Sequence, residues 1–266
     1  GRSHGGSRMG SKLYAFGALA ARQVLRDRGE ALVRAGFYVV LLLVFSRLWG
    51  AMEGGVGGIG AAEFVWYLAL TELMMLGTPL LYLAFEDDVR RGDIAYHIAR
   101  PVSYVWTRLA EGMGETLVRF GLMAVAGAAF SWWFAGGPPA DPRGLLFALP
   151  LAALAGAVLL LMQAVIGLSA FWLQDAAPVF WIVQKLMFVF GGLLFPLEIY
   201  PDWMRSIAYA TPFAPMLHGV GRMAFGFDPL LALQMAGLLL GWGLVLGALV
   251  ALVYRRGLRV LDVNGG

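Results

Sequence analysis

The chain has no cysteine and few charged residues. Of its 266 residues, 14% are charged, against about 25% in an average soluble domain. Without cysteine, neither a disulfide framework nor a thiolate metal site can form. The sequence contains no G-x-x-x-x-G-K-[ST] phosphate loop, no H-E-x-x-H and no G-x-S-x-G. His4, His97 and His218 lie too far apart in the sequence to suggest a local metal cluster. We therefore expect no catalytic site, no metal and no ATP-binding site on this chain.

Long apolar runs dominate the remaining sequence, since 60% of the residues are hydrophobic and the mean hydropathy is +0.73. Each run reaches or nears the ~20 residues that a helix needs to cross about 30 Å of hydrocarbon. The runs are too long and too uniformly apolar for barrel strands. The pattern predicts an all-α membrane protein with six transmembrane helices, at about 36–52, 63–85, 113–135, 145–172, 179–195 and 229–253.

The segment before the first run has two parts. Residues 1–10, GRSHGGSRMG, are typical of a tag and linker, so the amino-terminal segment discussed below begins at residue 11. Residues 11–35 predict an amphipathic helix, because four charged side chains recur at four-residue steps. These are Arg22, Arg26, Glu30 and Arg34. A basic amphipathic helix beside a span is typical of the headgroup plane. The alternative is a cytosolic helix packed on a partner.

Lysine and arginine are distributed unevenly between the loops. Twelve lie in the amino-terminal segment, in the 86–111 loop and in the tail that follows Tyr254, whereas the opposite loops hold only Arg143, Arg205 and Arg222. Positively charged loops remain in the cytoplasm. The distribution therefore predicts that both termini are cytoplasmic.

The polar segment between the second and third runs is a candidate docking site for a soluble partner. Val89–Ala99 predicts a short helix that Pro101 ends, with Ile94 and Ile98 as apolar anchors. The candidate docking residues are Arg90, Arg91, Gly92, Asp93, Ile94, His97, Ile98, Arg100 and Pro101. We interpret His97 as a surface residue of this helix. The alternative is a solvated loop with ordinary positive-inside arginines.

The segment 191–226 follows the fifth run and contains several prolines. Gly191 and Gly192 weaken the helix and Pro196 breaks it. The pattern then predicts two short outer-leaflet helices, at 203–210 and 216–225. The candidate residues for an outer gate are Phe195, Pro196, Glu198, Trp203 and Pro212. The alternative is a simple loop with aromatic anchors.

A few polar side chains fall inside the apolar runs. Such residues are costly in a membrane and point to a transport pathway or to a structural pair. The pathway candidates are Glu72, Gln163, Gln184 and Lys185. A Glu72–Lys185 pair is conceivable. Arg47 and Arg119 lie nearer the ends of their runs, where we expect their side chains to snorkel towards the interface.

Taken together, these features resemble the permease subunit of ABC-2-type transporters, in the bacterial ABC-2 family transporter protein branch. The resemblance is most specific over RGDIAYHIARPVSY, Arg91–Tyr104, and over FPLEIYPDWMRSIAYATPFAPMLHGVGR, Phe195–Arg222. It implies that residues 36–266 form one ABC-2-type transmembrane domain and that residues 11–35 form an elbow helix. It also implies that the docking residues form a coupling helix and that Glu198–Arg222 contains short extracellular helices.

The resemblance further implies a function and partners. This chain is expected to pair with a second permease, either a copy or a paralogue, and with two cytoplasmic ABC ATPases that hold ATP and Mg²⁺. The complex is expected in the bacterial inner membrane, where it exports a hydrophobic or amphipathic substrate without any nucleic acid. The alternative is a secondary transporter or channel that acts alone, although no repeat between residues 36–135 and 145–253 is evident.

Overall fold

The computed structural model describes residues 3–51, 59–96, 101–139, 141–173 and 175–264, and their architecture is all-helical. The helices are α1 (Ser3–Arg26), α2 (Arg28–Gly50), α3 (Ala61–Gly77), α4 (Leu81–Arg90), α5 (Asp93–Tyr96), α6 (Pro101–Ala135), α7 (Arg143–Leu168), α8 (Ala177–Phe190), α9 (Asp202–Tyr209), α10 (Phe213–Met216), α11 (His218–Gly221) and α12 (Pro229–Asn264). Short 3₁₀ turns follow at Ser169–Phe171, Leu197–Ile199 and Arg222–Phe225.

The first helix boundary lies at Asp27, not at residue 35 as the sequence suggested. The Asp27 carboxylate accepts a hydrogen bond from the Glu30 backbone N–H at 3.2 Å, and this cap begins α2. The helix boundary therefore falls between Arg26 and Glu30, so the four charged residues at 22–34 do not lie on one continuous helix. The amino-terminal helix also begins earlier than predicted, at Ser3.

The second apolar run is also broken. The predicted span 63–85 consists of α3 and α4, which are separated by residues 78–80. Pro79 has no N–H to donate and cannot continue the helix. The Gln163 side chain on α7 compensates at the start of α4, where its Oε1 accepts from the Tyr82 N–H at 3.3 Å.

The fifth run forms the short helix α8, which ends at Phe190 rather than at residue 195. Gly192 adopts a φ of +71°, which is incompatible with a continuing right-handed helix. At 1.5 Å per residue, its 14 residues span about 21 Å, less than the hydrocarbon thickness. Within the described ranges, five helical segments are long and apolar enough to cross a membrane, and α8 is a shorter apolar helix.

The central helix of the bundle is α3, which is buried along most of its length. It packs against α2, α6, α7 and α11, while α12 packs along α7. The helix α1 runs against α6 with its backbone close to that of its neighbour. A β-carbon on Gly114 would overlap the Gly17 carbonyl, so this approach requires glycine.

The bundle has two distinct ends. We call residues 87–94, where α4 turns into α5, the corner, and residues 191–228, between α8 and α12, the cap. Near the corner, Tyr104 of α6 stacks on Tyr254 of α12 with ring centroids 6.1 Å apart. At the cap end, the Phe227 N–H donates to Asp141 at 3.3 Å. The predicted tail after Tyr254 is in fact helical, because α12 continues to Asn264.

Candidate functional site

The corner is a tight turn, not a continuous helix. The prediction of one helix over 89–99 is wrong, because α4 ends at Arg90 and Gly92 follows with a φ of +75°. A glycine in this left-handed conformation is a common helix terminator. The chain then enters α5 at Asp93, and Pro101 is the first described residue of α6.

The outer surface of the corner is charged. Arg91 pairs with Asp87 at 3.2 Å, and both side chains are well exposed. Arg90 is exposed and pairs at 3.2 Å with Glu86, whose side chain is buried. Asp93 is also exposed. The exposed Arg91–Asp87 pair contributes little to stability, so both of its groups can exchange partners. Arg90 presents an exposed guanidinium that is paired with the buried Glu86.

Ile94 lies on the inner side of the corner and is fully buried. It belongs to an apolar cluster with Phe85 and Tyr104, among others. The prediction that Ile94 is an exposed anchor for a partner is therefore wrong, since its side chain fastens α5 to the bundle. His97, Ile98 and Arg100 lie outside the described residues.

An ion pair ties the corner to α6. Two nitrogens of Arg108 lie 2.7 and 2.9 Å from the same carboxylate oxygen of Asp88, and the Tyr104 hydroxyl also donates to that oxygen. The Asp88 side chain is only 13% exposed. Sequence reasoning missed this cluster. The sequence feature that could have indicated this cluster is the acidic run at the end of α4, together with an arginine in the next span.

The pathway candidates do not form one site. Glu72 is buried in α3, near enough to act electrostatically on the Tyr38 hydroxyl. Lys185 is exposed on α8, with its ammonium 4.9 Å from the Phe188 ring centroid. Among the described side chains, no ion pair joins Glu72 to Lys185. Gln163 caps α4, as described above, and Gln184 is half-buried on α8.

Arg119 does not snorkel. It is buried on α6, with its guanidinium 2.9 Å from Glu30 of α2, and it also pairs with Glu115 one turn earlier. Arg34 shares Glu30 at 2.8 Å and donates to the Leu76 carbonyl at 3.1 Å. This network joins α2, α3 and α6. By contrast, Arg47 is exposed.

The centre of the cap is His218. The Leu197 N–H points at its Nδ1 at 3.4 Å, which places the ring proton on Nε2, 3.7 Å from the Glu198 carboxylate. Tyr67 of α3 approaches the same Nδ1 at 3.3 Å and donates its hydroxyl proton to the Gly192 carbonyl. Burial lowers the pKa of His218 from 6.5 to about 4. The imidazole is therefore neutral at physiological pH.

Three of the gate candidates flank Leu197, whose backbone N–H contacts this histidine. Phe195 packs edge-on against Trp49 of α2, with ring centroids 4.6 Å apart. Pro196 precedes the 3₁₀ turn that carries Glu198, whose carboxylate binds Arg222 at 2.8 Å. Two further candidates lie away from this group. Trp203 is exposed on α9, and the buried Pro212 precedes α10.

One cap helix follows the prediction and the other does not. The predicted helix at 203–210 corresponds to α9. A single helix over 216–225 is wrong, because the chain forms α10, α11 and a 3₁₀ turn. The His218 N–H donates at 2.9 Å to the Gly191 carbonyl instead of to its own helix. Sequence reasoning missed His218 itself, since a lone histidine carries no pattern.

Within the described residues, no group of three or more His, Asp or Glu side chains could hold a metal ion.

Comparison with known proteins identifies the family. No curated protein matches the chain. The family model of the ABC-2 type transporter matches residues 14–225, which is well over half of the chain. This match includes the corner and most of the cap. The chain therefore belongs to the ABC-2 type transporter family.

Proposed function

We propose that this chain is the transmembrane permease of an ATP-driven exporter of a hydrophobic or amphipathic substrate. As an ABC-2 family member it is the membrane component of an ABC transporter, and such components normally work with ABC ATPases. The single observation that carries the proposal is the family match over residues 14–225. In the proposed complex, two ATPases hold ATP and Mg²⁺ and bind two permeases, which are copies or paralogues.

The corner is the proposed contact with the ATPase. Its exposed Arg90 and Arg91 offer charged donors, and its buried Ile94 prevents the turn from moving independently of the bundle. The Asp88–Arg108 pair connects the same turn to α6. Movement of an ATPase against the corner is thereby passed to two helices, α4 and α6, rather than absorbed by a loose loop.

The break at residues 78–80 is the proposed hinge for this movement. Above it, α3 is held in the core, and below it α4 is attached to the corner. Hinges are a few residues at element ends that absorb changes in φ and ψ. The Gln163–Tyr82 hydrogen bond is the contact that tilting of α4 strains first.

The cap is the proposed outer gate. His218 and Tyr67 couple it to the central helix α3, so a shift of α3 reaches the cap directly. The corner end is assigned to the cytoplasm, with both termini, because it carries Arg90, Arg91, Arg255 and Arg256. In a bacterium, this orientation fits the inner membrane.

Charge reversal at the corner tests the proposal. The variant carries Arg90→Glu, Arg91→Glu and Ile98→Asp, and we expect it to lose co-purification of the ATPase. The matched control is Arg143→Glu at the cap end, which also removes an exposed arginine. Unchanged ATPase association in the corner variant, at normal expression, contradicts the docking assignment.

A further inference from the structure

An open groove of about 490 Å³ lies between the end of α9 and the first turns of α12. It is lined by Tyr209, Leu231, Gln234, Met235, Gly237 and Leu238. Its volume is within the range of about 300–1,000 Å³ that is typical of small-molecule sites. The α12 side belongs to the membrane-spanning segment Pro229–Val260, so the groove opens towards lipid near the cap end.

Two polar groups line this groove, the Tyr209 hydroxyl and the Gln234 amide. Neither the Tyr209 hydroxyl nor the Gln234 amide hydrogen-bonds to any part of the chain that the structure describes, although both line the groove. Polar groups at membrane depth are costly unless they are satisfied. The apolar residues Leu231, Met235 and Leu238 form the remainder of the surface. The lining is thus amphipathic, because hydrogen-bonding groups lie beside an apolar surface.

A cation lies one turn before Tyr209. Arg205 on α9 is partly exposed and pairs with Asp202, which is 91% exposed. The charges of Arg205 and Arg222 act on the Tyr209 hydroxyl, as does the opposing charge of Glu198. An arginine has five N–H donors, and a surface pair such as Arg205–Asp202 is weak. Arg205 can therefore bind a phosphate without leaving an unpaired buried charge behind.

We infer that this groove binds a phospholipid of the surrounding membrane. One acyl chain lies along Leu231, Met235 and Leu238, the Gln234 amide and the Tyr209 hydroxyl bind the ester region, and Arg205 binds the phosphate. An arginine guanidinium binds a phosphate through charge-assisted hydrogen bonds. The inference rests on the groove alone and not on ATP-driven transport.

A photoactivatable phosphatidylglycerol with a diazirine on one acyl chain tests the site. The full chain is reconstituted in nanodiscs with and without its ATPase, and the labelled peptides are mapped. We expect labelling at 231–238 in both preparations. A diacylglycerol probe with the same chain reports binding that does not depend on phosphate.

Two glycines of α12 provide a variant and its matched control. A β-carbon at either Gly237 or Gly241 meets no atom within 4 Å, so a larger residue fits at both positions. Only Gly237 lines the groove. Gly237→Leu is expected to lower labelling about tenfold, which corresponds to the lost burial of about two methylene groups. Gly241→Leu is expected to label like the parent chain.

The headgroup contact has its own variant. Arg205→Gln is expected to lower phosphatidylglycerol labelling to the level of the diacylglycerol probe. Equal labelling of Gly237→Leu and the parent, or equal labelling by both probes in the parent chain, overturns the inference. A failed lipid test leaves the ATPase proposal intact, because labelling does not require the ATPase.

Discussion

Arg108 of α6 binds Asp88 of α4 through two nitrogens, at 2.7 and 2.9 Å from one carboxylate oxygen. This contact joins residues 20 positions apart and fixes the corner against a long transmembrane helix. Because Tyr104 donates to the same oxygen, the carboxylate is satisfied on its buried side. The corner is therefore a rigid part of the bundle.

Asp88→Asn is expected to loosen the corner. The substitution removes the charge of Asp88 and leaves Glu111, 3.2 Å away, as the remaining acidic partner of Arg108, which we expect to cost about 1–3 kcal/mol of stability. Thermal unfolding in detergent measures this cost. ATPase binding is expected to persist, while stimulation of ATP hydrolysis by the permease falls.

The matched control is Asp87→Asn, in the neighbouring exposed pair with Arg91. Exposed pairs contribute about 0–1 kcal/mol, so this variant is expected to unfold like the parent. Equal behaviour of the two variants contradicts a special role for Asp88.

His218 is expected to make the stability of the chain depend on pH. The pKa of His218 in the folded chain, about 4, lies below the ordinary value of 6.5. Between these two pH values the unfolded chain binds a proton at this residue and the folded chain does not. Stability is expected to fall as the pH decreases from 6.5 towards 4, by about 3 kcal/mol in total. Unfolding temperatures measured between pH 4 and pH 8 test this.

The His218→Gln variant separates this effect from other titrations. Glutamine retains an acceptor for the Leu197 N–H but does not titrate. The variant is expected to lose most of the pH slope. A slope equal to that of the parent chain assigns the dependence to groups other than His218.

Gly114→Ala is expected to displace α1 from α6, because a β-carbon there overlaps the Gly17 carbonyl. Overpacking of this kind costs about 1–3 kcal/mol. At Gly121 of the same helix, a β-carbon meets nothing within 4 Å, so Gly121→Ala is expected to leave stability unchanged or slightly higher. If Gly114→Ala behaves like Gly121→Ala in thermal unfolding, α1 does not pack on α6 as described.

Arg119→Gln is expected to destabilise the chain by about 2–3 kcal/mol, because Glu30 and Glu115 lose a charged donor. Arg47→Gln is the control, since Arg47 is exposed on α2. The difference in unfolding temperature measures whether Arg119 is part of an internal network or reaches solvent. Equal temperatures support the snorkelling that the sequence suggested.

The sequence predicted the membrane class, the helix α9 and the interruptions by Gly191 and Pro196, because long apolar runs and prolines act locally. It did not predict the break at Pro79, which depends on Gln163 of another helix to satisfy the freed Tyr82 N–H. The apolar pattern alone predicts one uninterrupted helix across Pro79.

The candidate site was less predictable than the spans. Arg119 and Arg47 look alike in the sequence, and only tertiary packing buries Arg119 and pairs it with Glu30 of another helix. Ile94 looked like a surface anchor because its helix was predicted to be continuous. Gly92, with a φ of +75°, turns the chain so that Ile94 faces the core instead.

Co-purification followed by reconstitution tests the central claim most directly. The intact chain, isolated in mild detergent and placed in liposomes, is expected to carry a separate ABC ATPase in equal amount and to move solute only when ATP is present. The corner variant is expected to lose both the ATPase and the transport. Solute movement by the purified chain alone, with no ATPase present, contradicts the claim.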